Sequence, residues 1–242
     1  MTIELFRDDA DLADCAAVIT AVADGAVQLD RTVFYPQGGG QAGDAGELLL
    51  ADGRRVAIAD TRKGETPGQI LHLLAHPDDA ASLAAGQAVT ARIDVARRTA
   101  HRRFHTSTHL LCALVPHPVN GCSITAGYAR LDFHMTDPLD KDALTAGIAR
   151  LVDAATPVTT RWITDAELDA NPQLVRSMSV QPPRGSGRVR LVEIAGVDLQ
   201  PCGGTHVNNT ADIGAVVVTK IEKKSATTRR VVLGFADSLQ SA

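Results

Sequence analysis

The sequence predicts an α+β protein in two parts: a small β-barrel-like domain over residues 1–93, followed by an α+β domain over residues 94–242. Short strand-like segments separated by turn residues fill the first part. The pattern changes to helical periodicity near Asp94, and strand-like segments return from Arg188 onward. Strands combined with segregated helices are typical of the α+β class.

The strand-like segments of the first part are short and regularly spaced, which favours a small barrel or sandwich. The Asp52–Gly53 pair between two apolar runs predicts a hairpin. A helix is also expected around Asp9–Ala23. The predicted strands are Thr32–Tyr35, Glu47–Leu50, Arg55–Ala59, Gln69–Leu74 and Ala88–Ile93.

The second part begins with a long helix, which Asp94 can cap and which stops before Pro116. A second helix is predicted over Leu139–Ala155, and a shorter one begins at Asp165–Asp169. Composition predicts a loop at Gln181–Arg188. The strands expected near the C-terminus are Arg188–Ile194, Ala215–Ile221 and Arg229–Phe235.

The composition is that of a globular protein, since 45% hydrophobic and 21% charged residues exclude a disordered tail or a collagen. Four cysteines in 242 residues do not make a disulfide framework. No apolar run approaches the roughly 20 residues of a membrane span. The acidic N-terminal segment does not resemble a signal peptide. We therefore expect a cytoplasmic protein with no membrane partner.

Charge is distributed unevenly along the chain. Residues 1–93 carry 7 basic and 14 acidic side chains, whereas residues 94–242 carry 17 basic and 14 acidic ones. Phosphate contacts come from clustered Lys and Arg, so the second part is favoured for any nucleic-acid contact. A solvated charged surface is the plain alternative.

Two pairs of metal-ligand side chains stand out in the second part. His105 and His109 are four residues apart on the predicted helix, so both imidazoles project from one face. Cys202 and His206 have the same spacing in a Gly-rich turn. Three imidazoles and one thiolate form a plausible tetrahedral zinc site, which predicts one Zn²⁺ per chain.

Spacing alone leaves other ligands open. His101 and Cys112 fall on the same helix face as His105 and His109. Cys112 among leucines is also typical of a buried core thiol. His101, with Arg102 and Arg103 beside it, is equally typical of a ring that faces RNA or solvent.

Several motifs together resemble the editing domain of alanyl-tRNA synthetase. HTSTHLL at 105–111 and CGGTHV at 202–207 resemble its paired zinc motifs, and FYPQGGGQAGDAG at 34–46 resembles its Gly-rich motif. RLDFH at 130–134 and TADIGAV at 210–216 match in order. A chain of 242 residues leaves no room for an aminoacylation core, so the resemblance is to the freestanding alanyl-tRNA editing proteins, the AlaX type in its medium form.

This resemblance implies an enzyme that hydrolyses mischarged aminoacyl-tRNA(Ala), chiefly seryl-tRNA(Ala) and also glycyl-tRNA(Ala), in trans. It implies His105, His109, Cys202 and His206 as the zinc ligands. It places the Gly-rich motif at the editing pocket, with Gly39 and Gly40 shaping it and Gln41 positioning water or the ester. Four protein ligands would close the coordination sphere, which leaves open whether the ion is catalytic or structural.

Two further roles are expected. The Thr32 hydroxyl would recognise the serine side chain, although a β-branched strand residue is an equally good interpretation. No nucleotide cofactor is expected, and the oligomeric state is not predicted. Basic residues of the second part would bind phosphates of the acceptor end of the tRNA. The residues singled out for RNA binding are Arg97, Arg98, Arg102, Arg103, Lys223 and Lys224.

Two alternatives remain at this stage. One is a zinc-stabilised RNA-binding module without activity. The other is editing of a different tRNA, such as seryl-tRNA(Thr), because the threonyl-tRNA synthetase editing domain has a related His and Cys layout.

Overall fold

The computed structural model describes residues 1–175 and 187–237, so residues 181–186 of the predicted loop lie outside the described residues. It confirms the predicted fold class, with a closed barrel followed by an α+β part. The chain divides into two compact units, and the division falls within the first helix between Thr99 and Ala100. The tripeptide Gly39–Gln41 groups with the second unit, although its neighbours in sequence belong to the first.

The first unit contains eight strands: β1 (Ile3–Glu4), β2 (Asp14–Ala23), β3 (Ala26–Leu29), β4 (Arg31–Thr32), β5 (Gly46–Leu50), β6 (Arg55–Lys63), β7 (Ile70–Leu74) and β8 (Ala88–Ile93). Six of them form a closed antiparallel barrel with the strand order β2-β3-β7-β6-β5-β8. Its strands alternate inward apolar and outward residues, as in β6, where Val56 and Ile58 are buried between exposed neighbours. Leu48 and Ala91 are fully buried in the barrel core.

Two expectations for this unit are wrong. The strand predicted over Thr32–Tyr35 ends at Thr32, because β4 covers only Arg31–Thr32. The segment predicted as a helix around Asp9–Ala23 forms strand β2, which pairs with both β3 and β8. Helix propensity from its alanines is a weak preference, and pairing on both sides of the strand overrides it.

Helix α1 (Val95–Leu114) begins as predicted at Asp94, whose carboxylate accepts a hydrogen bond from the Arg97 N–H at 3.0 Å. From Ala100 onward it belongs to the second unit, where Phe104, Leu110 and Leu111 are fully buried. Helix α2 (Lys141–Asp153) is capped by Asp140, and α3 (Asp165–Asp169) is a short helix capped by Thr164.

Two antiparallel sheets complete the second unit. Their strands are β9 (Val119–Ile124), β10 (Ala129–His134), β11 (Val158–Thr164), β12 (Arg188–Ile194), β13 (Asp198–Pro201), β14 (Val216–Ser225) and β15 (Thr228–Phe235). The larger sheet has the order β14-β15-β10-β9, and the smaller sheet has the order β11-β12-β13. One large apolar core includes residues of both sheets and both long helices. Among residues 1–175 and 187–237, no helix is long and apolar enough to span a lipid bilayer.

Candidate metal centre

Four potential ligands meet within the second unit. One ligand atom each from His105, His109, Cys202 and His206 lies within 4.8 Å of the others. The Cys202 Sγ lies 3.3 Å from His105 Nε2 and 3.2 Å from His206 Nε2. The three histidines are each 4% exposed, and Cys202 is half-buried. The predicted pairs therefore converge on one point.

The competing ligands do not join this cluster. His101 is buried on α1 but is not among the four residues whose ligand atoms converge. Cys112 is buried in the large apolar core, as its position among leucines suggested. Cys122 is partly buried, and desolvation raises the pKa of its thiol to about 12. A protonated thiol is a poor metal ligand.

Two arginine side chains hold the turn between Cys202 and His206 by hydrogen bonds to its backbone carbonyls. Arg190 donates from Nη1 to the carbonyl oxygens of Cys202 at 3.2 Å and Gly204 at 2.9 Å. Arg102 on α1 donates from Nε to the His206 carbonyl at 2.7 Å. Gly204 has no room for a side chain, because a Cβ there would lie 2.1 Å from His105 Cε1.

Each imidazole of the centre has a hydrogen-bond partner at Nδ1. His105 donates to Gln41 Oε1 at 2.8 Å, His109 to Asp198 Oδ2 at 2.7 Å, and His206 to Thr106 Oγ1 at 3.2 Å. A proton on Nδ1 leaves the Nε2 lone pair as the available ligand. Such partners are typical of metal-binding histidines because they fix both tautomer and ring orientation.

The electrostatics also fit a bound cation. Burial opposes ionisation of Cys202, but the nearby His105 and His206 and their hydrogen bonds keep the pKa of its thiol well below the usual value. Burial opposes the charged form of His109 as well, yet the hydrogen bond to Asp198 and the contact with Cys202 raise its pKa to about 9, so a bound metal would displace the proton on its Nε2. A thiolate with three oriented imidazoles is a donor set that suits zinc.

The Gly-rich segment enters the centre through Gln41, which is fully buried. Its Oε1 accepts hydrogen bonds from His105 Nδ1 and from the Thr205 N–H at 3.1 Å, and its Nε2 donates to Thr205 Oγ1 at 2.9 Å. The expected role of Gln41 was to position water or the ester. In the structure its amide joins the two ligand-bearing segments.

Gly39 and Gly40 both have positive φ, at 59° and 88°, which favours glycine. The Gly40 carbonyl accepts the Ile124 N–H at 2.8 Å, so the segment runs beside β9. A Cβ on Gly40 would lie 2.7 Å from the Cys122 Sγ. Gly40 is therefore needed for close packing against Cys122, and the role of both glycines in shaping a substrate pocket stays a prediction.

Thr32 is fully buried in the first unit. The His72 Nδ1 donates to the Val27 carbonyl at 3.0 Å, so the Thr32 hydroxyl donates its proton to His72 Nε2 at 2.8 Å. The same hydroxyl oxygen accepts the Phe34 N–H at 3.0 Å. A substrate hydroxyl could therefore use only the remaining lone pair of Thr32.

Among the basic residues expected to bind RNA, Arg98 is 2% exposed and makes a buried ion pair with Asp44. It also donates to the carbonyls of Ala10 at 3.0 Å and Val33 at 2.6 Å. Asp44 also accepts the Tyr35 N–H at 2.7 Å. These contacts account for Arg98 without RNA, so it is left out of the phosphate-binding residues proposed below.

The other arginines of α1 also contact protein groups. Arg97 donates to the Gly43 carbonyl at 3.1 and 3.0 Å. Arg103 donates to the Ile213 carbonyl at 2.6 Å and lies 4.0 Å from the centroid of the Phe235 ring. Lys223 and Lys224, in contrast, are exposed on β14.

Three residues important to this centre were missed at the sequence level: Asp198, Thr106 and Arg190. Asp198 lies four residues before Cys202, and Thr106 lies within the helix pair, so both are close to ligands in sequence. Their roles depend on three-dimensional contacts, and a single sequence carries no signal for those.

Two known protein families match parts of this chain. Residues 189–232 match the family described as the threonyl and alanyl tRNA synthetase second additional domain, and residues 3–97 match the family described as tRNA synthetases class II (A). The fold and the centre thus belong to a class of protein that shares domains with these synthetases.

The full-length relatives narrow this class. The alanyl-tRNA editing protein AlaX-M of Saccharolobus solfataricus is 32% identical and covers 96% of this chain and 98% of its own length. The AlaX-M of Methanosarcina barkeri is also 32% identical, over 98% of this chain and 100% of its own length. The alanine–tRNA ligase of Metallosphaera sedula is 38% identical over 81% of this chain, which spans only 22% of that enzyme. The chain belongs to the AlaX-M family of alanyl-tRNA editing proteins, which confirms the resemblance found in the sequence.

Proposed function

We propose that this protein hydrolyses the ester between a wrong amino acid and the 3′ end of tRNA(Ala), acting in trans to protect translation fidelity. The observation that carries the proposal is the buried His/Cys cluster in a chain that matches AlaX-M over nearly its whole length. Seryl-tRNA(Ala) is the proposed main substrate and glycyl-tRNA(Ala) a second one. The acceptor end of the tRNA is the proposed partner, and the cytoplasm is the proposed compartment.

The proposed metal is one Zn²⁺ per chain, bound by His105, His109, Cys202 and His206. The donor set and the three oriented Nε2 atoms support this choice. A zinc ion bound there supplies Lewis acidity toward the ester carbonyl or lowers the pKa of a bound water.

The three histidines of the centre bind the metal in this proposal and do not transfer protons. All three imidazoles use Nδ1 for a hydrogen bond within the protein and direct Nε2 to the centre. None of them therefore has a free nitrogen for general base catalysis once the metal is bound. An aminoacyl ester is activated, so positioning of water and stabilisation of the oxyanion suffice for hydrolysis.

Deacylation of labelled seryl-, glycyl- and alanyl-tRNA(Ala), with seryl-tRNA(Thr) as a fourth substrate, tests the proposal. We expect rapid loss of serine from tRNA(Ala), slower loss of glycine and little loss of alanine. Cys202→Ala should abolish the reaction, while Cys112→Ala, which removes a buried thiol outside the cluster, should retain it.

Two results would contradict the proposal. Binding of tRNA without ester loss would indicate an RNA-binding module stabilised by zinc. Faster reaction with seryl-tRNA(Thr) would indicate editing of a different tRNA.

A further inference from the structure

The smaller sheet connects an exposed aromatic side chain to the metal centre. Trp162 on β11 is directly opposite Arg190 on β12, and the Cys202 N–H donates to the Arg190 carbonyl at 3.0 Å just beyond the end of β13. The three residues thus form one row across the sheet. Neighbouring strands lie about 4.8 Å apart, so the Cα atoms of Trp162 and Cys202 are about 10 Å apart.

The two faces of this sheet differ in what covers them. Ile163, Val189 and Leu191 on one face form a small apolar core with Leu168 of α3. Alternation places Trp162 on the opposite face, together with Arg188 and Arg190. Val192 and Ile194 on that face pack into the large apolar core, whereas Trp162 is not part of that core.

Trp162 is exposed, unlike most large aromatic side chains of the described chain. Its relative exposure is 37%, it belongs to none of the apolar cores, and β11 is an edge strand. The Arg188 guanidinium lies 4.4 Å from the centroid of its ring. On this face Arg188 is exposed, whereas Arg190 and Asp198 are buried. The surface therefore combines an aromatic ring with positive charge.

We propose that Trp162, flanked by Arg188, is a stacking platform for a nucleobase in the single-stranded 3′ end of the acylated RNA. Aromatic stacking beside cationic side chains is how proteins bind single strands without reading sequence. An acylated 3′ end at the metal centre places the preceding bases within reach of a platform about 10 Å away. The proposal rests on the proposed function, because that function places the 3′ end at the metal.

Trp162 is the only tryptophan of the chain, so its fluorescence reports on this surface alone. We expect the indole emission to change saturably when an uncharged RNA hairpin ending in single-stranded CCA is added. The same hairpin with a blunt end should change it much less. No change at RNA concentrations that saturate binding in a separate anisotropy assay would overturn the proposal. This titration needs no deacylation, so its result is independent of whether the protein is an enzyme.

Kinetics with a seryl-charged hairpin give the second measurement. Trp162→Leu should raise KM at least about fivefold with little change in kcat, since loss of one base stack weakens binding by this factor or more. Trp162→Phe should restore most of the affinity. Tyr128→Leu is the matched control, because Tyr128 is an aromatic side chain of similar exposure, 42%, in the same unit.

Zinc content and thermal stability should be the same in all three variants. A KM for Trp162→Leu within about twofold of the parent value, below the weakest stacking contribution, would overturn the proposal. Absence of deacylation by the parent protein, with the fluorescence change intact, would instead contradict the proposed function.

Discussion

Gln41 illustrates how the structure changes the interpretation of a single residue. Its sequence context favoured direct contact with substrate, yet all of its described hydrogen bonds go to His105 and Thr205. These bonds occupy Oε1 and one of the two Nε2 protons within the protein. We therefore expect Gln41 to act on the reaction by orienting the His105 ring.

Gln41→Ala should weaken zinc binding by about 10- to 100-fold, the usual effect of removing a partner of a metal-binding histidine. Chelator competition monitored with Zn²⁺ or Co²⁺ measures this directly, and the Co²⁺ spectrum should shift as the His105 ring reorients. Gln37→Ala is the control, because Gln37 belongs to the same Gly-rich segment but is exposed. Unchanged metal affinity with reduced deacylation would return Gln41 to a direct role in substrate binding.

Thr32 offers a second test at this scale. Thr32→Val removes the proton donor of a buried histidine, so the free energy of unfolding should fall by about 1–3 kcal/mol. If Thr32 also recognises serine, the ratio of seryl- to alanyl-tRNA hydrolysis should fall about 5- to 150-fold. Thr32→Ser keeps the hydroxyl and should retain both properties, while zinc content should not change in either variant. A ratio within about twofold of the parent would assign serine discrimination to the segment around Gly39, Gly40 and Gln41.

At the scale of elements, the metal centre needs a helix and a loop that are far apart in sequence. The helix supplies His105 and His109, and the loop after β13 supplies Cys202 and His206. Neither pair alone provides the three or four protein ligands of a zinc site. Loss of either pair should therefore release the metal.

Metal analysis of purified variants measures this dependence. The parent protein should contain about one zinc per chain, and His105→Ala and Cys202→Ala should each contain far less. Cys112→Ala should retain zinc, because this thiol packs in the apolar core. Full retention in the first two variants would contradict the ligand assignment.

The barrel contains a titratable group of its own. Burial, only partly offset by the hydrogen bond to Val27, lowers the pKa of His72 to about 4 from 6.5. The unfolded chain binds a proton between these pH values and the folded barrel does not. Stability from neutral His72 is therefore complete above about pH 6.5 and is lost as the pH falls toward 4.

Because of this shift, the free energy of unfolding of the parent protein should fall by about 3 kcal/mol between pH 7 and pH 4. The His72→Gln variant should lack this part of the pH dependence. Denaturant unfolding of both proteins across this range measures the difference, and groups common to both cancel. Parallel pH profiles would show that His72 is not held neutral in the folded barrel.

The elements with strong local signals were those that the sequence predicted best. Helix α1 has a cap at Asp94 and a long apolar period, and strand β12 was predicted with its observed bounds, Arg188–Ile194. Six strands were not predicted, because their burial depends on neighbouring strands: β1, β3, β9, β10, β11 and β13. Strand β2 was mistaken for a helix for the same reason. In the candidate metal centre, spacing predicted the four side chains that converge, but Asp198 and Thr106 act through contacts that only the fold creates.

At the scale of the whole molecule, the charge asymmetry remains after the arginines of α1 are accounted for. Each of these arginines contacts a carbonyl oxygen or a carboxylate of its own unit: Arg97, Arg98, Arg102 and Arg103. The excess of basic residues in the second part therefore has fewer candidates for phosphate contact than the sequence suggested. Exposed Lys223 and Lys224 on β14 are the residues of the predicted set best placed to bind RNA.

Affinity for tRNA should accordingly fall with rising salt, and reversal of both lysines to Glu should weaken binding without loss of zinc. Each phosphate contact contributes about 0.9 to the slope of log K against log salt, so the double variant should lower the slope by about 2. Reversal of Arg54 and Arg55 to Glu is the matched control, because it changes net charge equally on an exposed part of the acidic unit. Equal weakening in both double variants would mean that only net charge matters. An unchanged slope in the lysine variant would place the phosphates on another surface of the protein.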